Sequence, residues 1–382
     1  MKPLPVTAIF GKPSKARSEL AACLLESGRR CASIRFSEAG DGNTISRALD
    51  RIAAVAGEDD WDHAIIEVDG NMNPLNLAQG FENGDAHGGE FSRTAYLAAI
   101  VTMLEPGSFL RCIQPGGLAG EFPQGYRNDV VEQLEASDFI VMEQTDNAAN
   151  LDLAEAIVHS LNPRAEIAAP IPSPEAIQKI LKGRHDLRAA QLGTGWQRCL
   201  EGCEGCDGRE EPRHGLGAFV YTARRPFHPQ RLWEMLRGPL PGVFRAKGFF
   251  WVATRMSQML GMARAGRETR FAIVGQWWAS MDREQWPPMP EFREAIEKRW
   301  TEPYGDRQQA IVLMGVNADF ETLSRSFDAC LLDKAEMAAG ESGWSALDDP
   351  FPCWNAHAHD HHHHEEHGEA EHDHCCGEHC TK

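Results

Sequence analysis

Nowhere in the chain do apolar residues run for the ~18 consecutive positions that suggest a membrane-spanning helix. Lys2, Pro3, Pro5 and Lys12 interrupt the start, so it does not read as a secretory leader. Positive charge is also scarce. Against 56 Asp and Glu stand only 38 Lys and Arg, a formal net charge of −18. The segment from Asn355 onward accounts for seven acids and one Lys, and the rest of the chain is still strongly acidic. A binder of phosphate backbones needs the opposite sign. Nucleic acid and membrane are therefore excluded as expected partners, and a soluble, cytoplasmic protein is expected. What is present is an ordinary globular composition over 382 residues, room for two or three domains.

Cysteine is unevenly spread. Cys23, Cys31, Cys112, Cys330 and Cys353 are scattered, whereas Cys199, Cys203 and Cys206 cluster, as do Cys375, Cys376 and Cys380. In a cytosolic chain such clusters point to metal or redox chemistry more than to disulfides.

The chain opens with a short apolar run, Val6–Phe10, then a loop from Gly11 to Ser18 broken by Pro13, then an Ala/Leu-rich helical stretch to Leu25. Strand, loop and helix in that order begin a parallel α/β unit. A phosphate-cradling version of the loop reads G-x-x-x-x-G-K-[ST]. Gly11 and Ser18 stand in that frame, but Ala16 replaces the second Gly and Arg17 the Lys.

Further strands are expected at Cys31–Phe36, His63–Gly70, Phe109–Ile113 and Phe139–Met142, with helices over Thr44–Ala56, Asp129–Ala136 and Leu151–Leu161. Glu67 and Asp69 end an apolar run. Acids there face the ligand-binding edge of a parallel sheet, or simply form a strand-to-loop turn. Residues 171–215 read as a linker with one helix near Glu175–Leu181, followed by the spacing C-x3-C-x2-C. Cys199, Cys203 and Cys206 supply three thiolates, and His214 is a candidate fourth ligand for tetrahedral zinc; the alternative is a reduced loop. Residues 216–354 read as β-α-β-β-α-β-α, an α+β domain with an antiparallel sheet.

The last 28 residues hold ten His and three Cys: His357, His359, His361, His362, His363, His364, His367, His372, His374, Cys375, Cys376, His379 and Cys380. Apart from Ala the segment offers nothing apolar to bury, so a disordered tail is expected. Imidazole and thiolate are the ligands of zinc and neighbouring divalent transition metals. Only four His are consecutive, which argues against a cloning tag.

Several motifs then carry a resemblance. Ala223-Arg-Arg-Pro-Phe-His-Pro229, Arg245-Ala-Lys-Gly-Phe-Phe-Trp251, Tyr304-Gly-Asp-Arg-Gln-Gln309, Asp328-Ala-Cys-Leu-Leu332 and Asp349-Pro-Phe-Pro352 resemble signatures of the CobW-type P-loop GTPases. Leu4-Pro-Val-Thr7, and Ile66-Glu67 with Gly70 and Pro74, fit the family's opening and Walker B region. The resemblance implies an α/β fold: a P-loop GTPase-like parallel-sheet domain over residues 1–170, the 171–215 linker, a smaller α+β CobW C-terminal domain over 216–354 and the His/Cys-rich tail over 355–382. It implies metal homeostasis, with zinc as the expected metal, a client metalloprotein as partner, and a homo- or hetero-oligomer as an option.

The departures matter more. The family loop has Gly at the positions of Ser14 and Ala16 and Lys at Arg17, and its guanine-reading N-K-x-D is here Glu143-Gln144-Thr145-Asp146. The family's internal C-x-C-C metal motif is absent. The positions that the resemblance assigns to GTP and Mg2+ are Gly11, Arg17, Ser18, Glu67 and Asp146. Ala16 adds a Cβ where backbone must approach phosphate, and the planar guanidinium of Arg17 is not a point charge. The expectation is a metal-binding, chaperone-like scaffold with an inactive GTPase domain. Its rivals are a working GTP-hydrolysing zinc metallochaperone and an interaction partner of an intact paralogue.

Overall fold

The computed structural model of the protein describes residues 2–37, 44–58, 60–69, 72–83, 91–114, 120–168, 173–202 and 213–354. Both sheets lie in one compact unit that ends at Phe351. The tail from residue 355, with all its candidate ligands, lies outside the described residues, as do Cys203 and Cys206.

The first half is wound around a six-stranded parallel sheet. Its elements are β1 (Leu4–Phe10), α1 (Lys15–Leu25), β2 (Cys31–Ser37), α2 (Thr44–Ala56), β3 (His63–Asp69), α3 (Pro74–Asn83), α4 (Phe91–Thr94), β4 (Ala95–Leu104), α5 (Pro106–Ile113), α6 (Tyr126–Ala136), β5 (Phe139–Met142), α7 (Ala148–Leu161) and β6 (Glu166–Ala168). The strand order is β2-β3-β1-β4-β5-β6, a P-loop GTPase-like arrangement. Parallel strands covered on both faces need apolar residues at consecutive positions, and Val6, Ala8, Ile9 and Phe10 are all fully buried. The register sets Ile9 beside Glu67 and Phe10 beside Thr102. Gly11, Glu67, Glu105 and Glu143 therefore stand at or just past the carboxyl edge of neighbouring strands.

One expected strand is corrected. Phe109–Ile113 belongs to α5, not to the sheet. Both oxygens of Glu105 accept from the backbone N–H groups of Gly107 and Ser108, and Pro106 occupies the first turn, so a strong cap overrides a short apolar run. The central strand beside β1 is instead β4. Its Ala, Leu and Met content weakens its β signal.

The stretch read as a linker contains the one helix expected near Glu175–Leu181 and two more that the sequence did not announce. It folds into α8 (Pro174–Lys182), α9 (Leu187–Leu192) and α10 (Gly195–Leu200). Ile177, Ile180, Leu181, Leu187, Ala190 and Cys199 on these helices are buried. Helix α10 lies so close to α7 that a Cβ on Gly195 would sit 1.7 Å from the Ser160 carbonyl oxygen, which only glycine avoids.

The second half comprises β7 (Leu216–Ala223), α11 (Pro229–Arg237), β8 (Val243–Phe250), β9 (Gln258–Ala265), β10 (Glu268–Gln276), α12 (Pro290–Lys298), β11 (Gln309–Val316), α13 (Phe320–Cys330) and α14 (Lys334–Trp344). Its five strands pair antiparallel in the order β10-β9-β8-β11-β7. Strand β9 and helix α14 are absent from the sequence-based reading. Strand β9 is rich in Met, Ala and Gly, which favour strands weakly, and α14 contains a glycine break at Gly340.

Helix α6 joins the two sheets. One apolar cluster runs from Val131 and Leu134 through Cys199 to Phe244, Val312 and Met314. Across it, the fully buried Arg245 of β8 donates to both oxygens of Glu135 at 2.9 and 2.8 Å and to Asn128 Oδ1 at 3.2 Å. Lys247 Nζ also reaches Glu135, at 3.2 Å, and Arg270 of β10 donates to Asp129 at 2.6 Å.

Candidate functional site

The carboxyl edge of the parallel sheet is where a ligand of this architecture is expected. Gly11 leaves β1 with φ +110, and a Cβ there would lie 2.5 Å from the Met103 carbonyl oxygen. The loop passes through Pro13 to Ser14, whose Oγ accepts from Arg17 N–H at 3.1 Å and caps α1. The same hydroxyl donates to Glu143 Oε1 at 2.6 Å, tying the loop to the end of β5.

Arg17 turns inward. Its side chain is 3 % exposed, with Nη1 donating to the carbonyls of Gly11 at 2.8 Å and Val68 at 3.3 Å. Its Nε lies 3.6 Å from Glu67 Oε2, while Glu67 Oε1 accepts from Arg35 at 2.9 Å. Arg17 thus links the ends of β1 and β3 and neutralises a carboxylate that is itself 5 % exposed. In a working phosphate cradle that cation and the surrounding backbone N–H groups face the ligand. Here Nη1 and Nε are engaged with the protein's own carbonyls and carboxylate.

The remaining sequence-derived positions do not rebuild a nucleotide site. Ser18 Oγ makes a 3.3 Å bond back to the Ser14 carbonyl, an ordinary helical contact. Asp146 is exposed beside the start of α7. Lys12 does not replace the missing loop lysine, since its ammonium lies 4.7 Å from the Tyr126 ring centre and 5.1 Å from that of Phe122. Lys15 is exposed, within 3.2 Å of Glu19.

For the proposed zinc set, Cys199 is 5 % exposed within the apolar cluster. His214 Nε2 is 2.8 Å from Asp152 Oδ2. Cys203 and Cys206 lie outside the described residues. Among the described residues, no group of three or more His, Cys, Asp and Glu is gathered for a metal ion.

Beside the loop, over the ends of β4 and β5 and between α5 and α6, is a cavity of about 210 Å³. Lys12, Met103, Phe109, Asp129, Val130 and Glu143 are among its walls. Cys112 also borders it, and burial pushes its thiol up to about 11 despite Arg127 nearby, so the thiol stays protonated at neutral pH. Burial likewise raises the Asp129 carboxyl, against the pull of Arg270. Sequence reasoning missed this cavity and the Ser14–Glu143 bond because their residues come from separate elements. The only hint was that Glu143 follows an apolar strand.

Comparison with known proteins agrees with this architecture. The family model described as CobW/HypB/UreG, nucleotide-binding domain, matches residues 22–169, and that described as cobalamin synthesis protein cobW C-terminal domain matches residues 216–331. The first match begins after the Gly11–Ser18 loop. Zinc-regulated GTPase metalloprotein activator 1 of Dictyostelium discoideum is 28% identical over 319 residues, covering 79% of this chain and 66% of that protein. Zinc chaperone Rv0106 of Mycobacterium tuberculosis is 30% identical over 270 residues, covering 68% of this chain and 62% of that protein. The chain thus spans just under two thirds of the length of these relatives. The Zn(II)-bound YjiA GTPase from E. coli aligns over 87% of this chain and 100% of its own, at 12% identity and a TM-score of 0.35, too distant to carry structural or functional detail across. With both family models matched in order, one over the parallel-sheet half and one over the antiparallel half, the chain belongs to the CobW family.

Proposed function

We propose that the protein is a zinc-homeostasis member of its family in which the nucleotide loop is a closed structural joint and the His/Cys-rich tail is the metal-handling part. The observation that carries this reading is the inward Arg17, hydrogen-bonded to Gly11 and Val68 and set against Glu67. The residues present do not fit GTP held in the family manner. The lysine and two glycines of the loop are replaced, and Ser14 is committed to Glu143. Phosphoryl transfer depends almost wholly on positioning and charge stabilisation by such groups. The relatives named as a zinc chaperone and a zinc-regulated metalloprotein activator support zinc as the metal and a client metalloprotein as partner. The tail's ten His and three Cys support it chemically.

The test is GTP turnover by the full chain with magnesium and zinc present. Phosphate release is expected to equal that of buffer alone, and equilibrium dialysis is expected to retain no GTP. Turnover that disappears in Ser18→Ala would overturn this reading and establish a working metallochaperone with a variant loop.

A further inference from the structure

The cavity between α5 and α6 borders the loop at Gly11 and the end of β5 at Glu143, but Arg17, Ser18, Glu67 and Asp146 are not among its walls. Its walls are chemically lopsided. Met103, Leu104, Phe109 and Val130 make an apolar body, while Glu105, Asp129 and Glu143 outnumber the single Lys12. Glu105 spends both oxygens on the α5 cap. The other two acids retain capacity. Glu143 accepts from Ser14 through Oε1. Asp129 is 8 % exposed, and its buried Oδ2 has no hydrogen-bond partner among the described residues. A buried carboxylate oxygen left without a donor is costly and calls for one. The chain itself shows that this corner accepts a cation, since the Lys12 ammonium rests over the Tyr126 ring at 4.7 Å.

From these observations we infer that the cavity binds a small organic cation, a protonated amine carrying a short apolar body, with its ammonium toward Glu143 and Asp129. About 210 Å³ is below the ~300–1,000 Å³ of pockets for drug-sized ligands, so the ligand is fragment-sized. Asp129 also holds Arg270 of β10, so the occupied cavity would share a carboxylate with the joint between the sheets.

The test uses the full chain with chelator present, so that the tail carries no metal, and three probes of one shape: phenethylammonium, 2-phenylethanol and phenylacetate. Calorimetric titration is expected to give saturable binding of the ammonium about tenfold tighter than the alcohol, the effect of one charge-assisted hydrogen bond, and no binding of the carboxylate. Glu143→Gln is expected to remove most of that tenfold preference. Val130→Phe, which fills the apolar wall, is expected to abolish binding. Equal affinity for ammonium and alcohol, a preference unchanged in Glu143→Gln, or no saturable binding of the ammonium would each overturn the assignment. Should Val130→Phe fail to fold, the probe series and Glu143→Gln decide alone. GTP turnover does not bear on this result, so it stands or falls independently of the closed-loop reading.

Discussion

Truncation after Trp354 is expected to remove about three zinc ions per chain. The deleted segment holds ten imidazoles and three thiols, and at about four ligands per zinc they supply roughly three sites. The ligands are neighbours in sequence, so a site can close locally without help from the sheets. Both sheets lie in a compact unit ending at Phe351, so removal of the segment after Trp354 leaves both cores intact. Neutral imidazole is the form that binds, with an unperturbed pKa of about 6.5. Protons therefore compete, and His-held zinc is expected to leave as pH falls through about 6.5 and below. Thiolate-held zinc is expected to persist further into acid, because the metal itself lowers the thiol pKa. Zinc titration of the full and truncated chains, at neutral pH and near pH 5, checks both statements. Equal stoichiometry in the two chains would remove the tail from the metal chemistry. A residual single zinc in the truncated chain would assign that ion to the Cys199, Cys203, Cys206 and His214 set.

The second large effect concerns the joint between the sheets. Glu135→Ala is expected to destabilise the protein by about 3–5 kcal/mol, the usual result of removing one partner from a buried ion pair. The reason is the guanidinium left behind: Arg245 is fully buried, and among the described residues its remaining side-chain acceptor is Asn128. Replacing both Glu135 and Arg245 with Leu and Met is expected to recover much of that loss, because the desolvation cost of the pair disappears with it. Denaturant midpoints of the single and double variants measure this directly. A double variant as unstable as Glu135→Ala would show that the pair is not what matters.

The same pair predicts an acid sensitivity. Burial alone would raise the Glu135 carboxyl, but Arg245 and Lys247 more than offset it and hold it below the usual range. A carboxyl whose folded pKa is depressed stabilises the fold above its unfolded value of about 4.3, and loses that contribution as pH falls through its lower folded value. The Glu135→Gln variant, which has no such proton to take up, is expected to show a flatter fall in stability below about pH 4.3 than the parent chain.

Much of the scaffold was legible in one dimension. Thr44–Ala56 has apolar residues at a helical spacing and is a helix over that whole span. Val6–Phe10, apolar but for Thr7, and Phe139–Met142, apolar throughout, lie in the parallel sheet. The motif residues that carried the family resemblance also have physical reasons. Asp306 accepts from the N–H groups of Trp278 and Ala279 at 3.0 and 2.9 Å, and Gln309 bridges Trp251 and Arg225. These are buried polar groups that only particular partners satisfy, so the residue types are tightly constrained.

The amino-acid order by itself determined which stretches must be buried, because periodicity reports the face a residue presents. It also determined that the Gly11–Ser18 loop has lost its lysine and second glycine, and that the last 28 residues are ligand-rich and almost without apolar side chains. Only the tertiary structure decided where the Arg17 guanidinium goes. Its partners Glu67 and Val68 are about fifty residues away in the chain, brought beside it by the β1–β3 pairing. It also decided that Glu143 meets Ser14, that Arg245 meets Glu135, and that the supposed linker helix α10 is part of the core. Each of these rests on a contact between side chains distant in sequence, and local spacing carries no record of such contacts until the strands have paired.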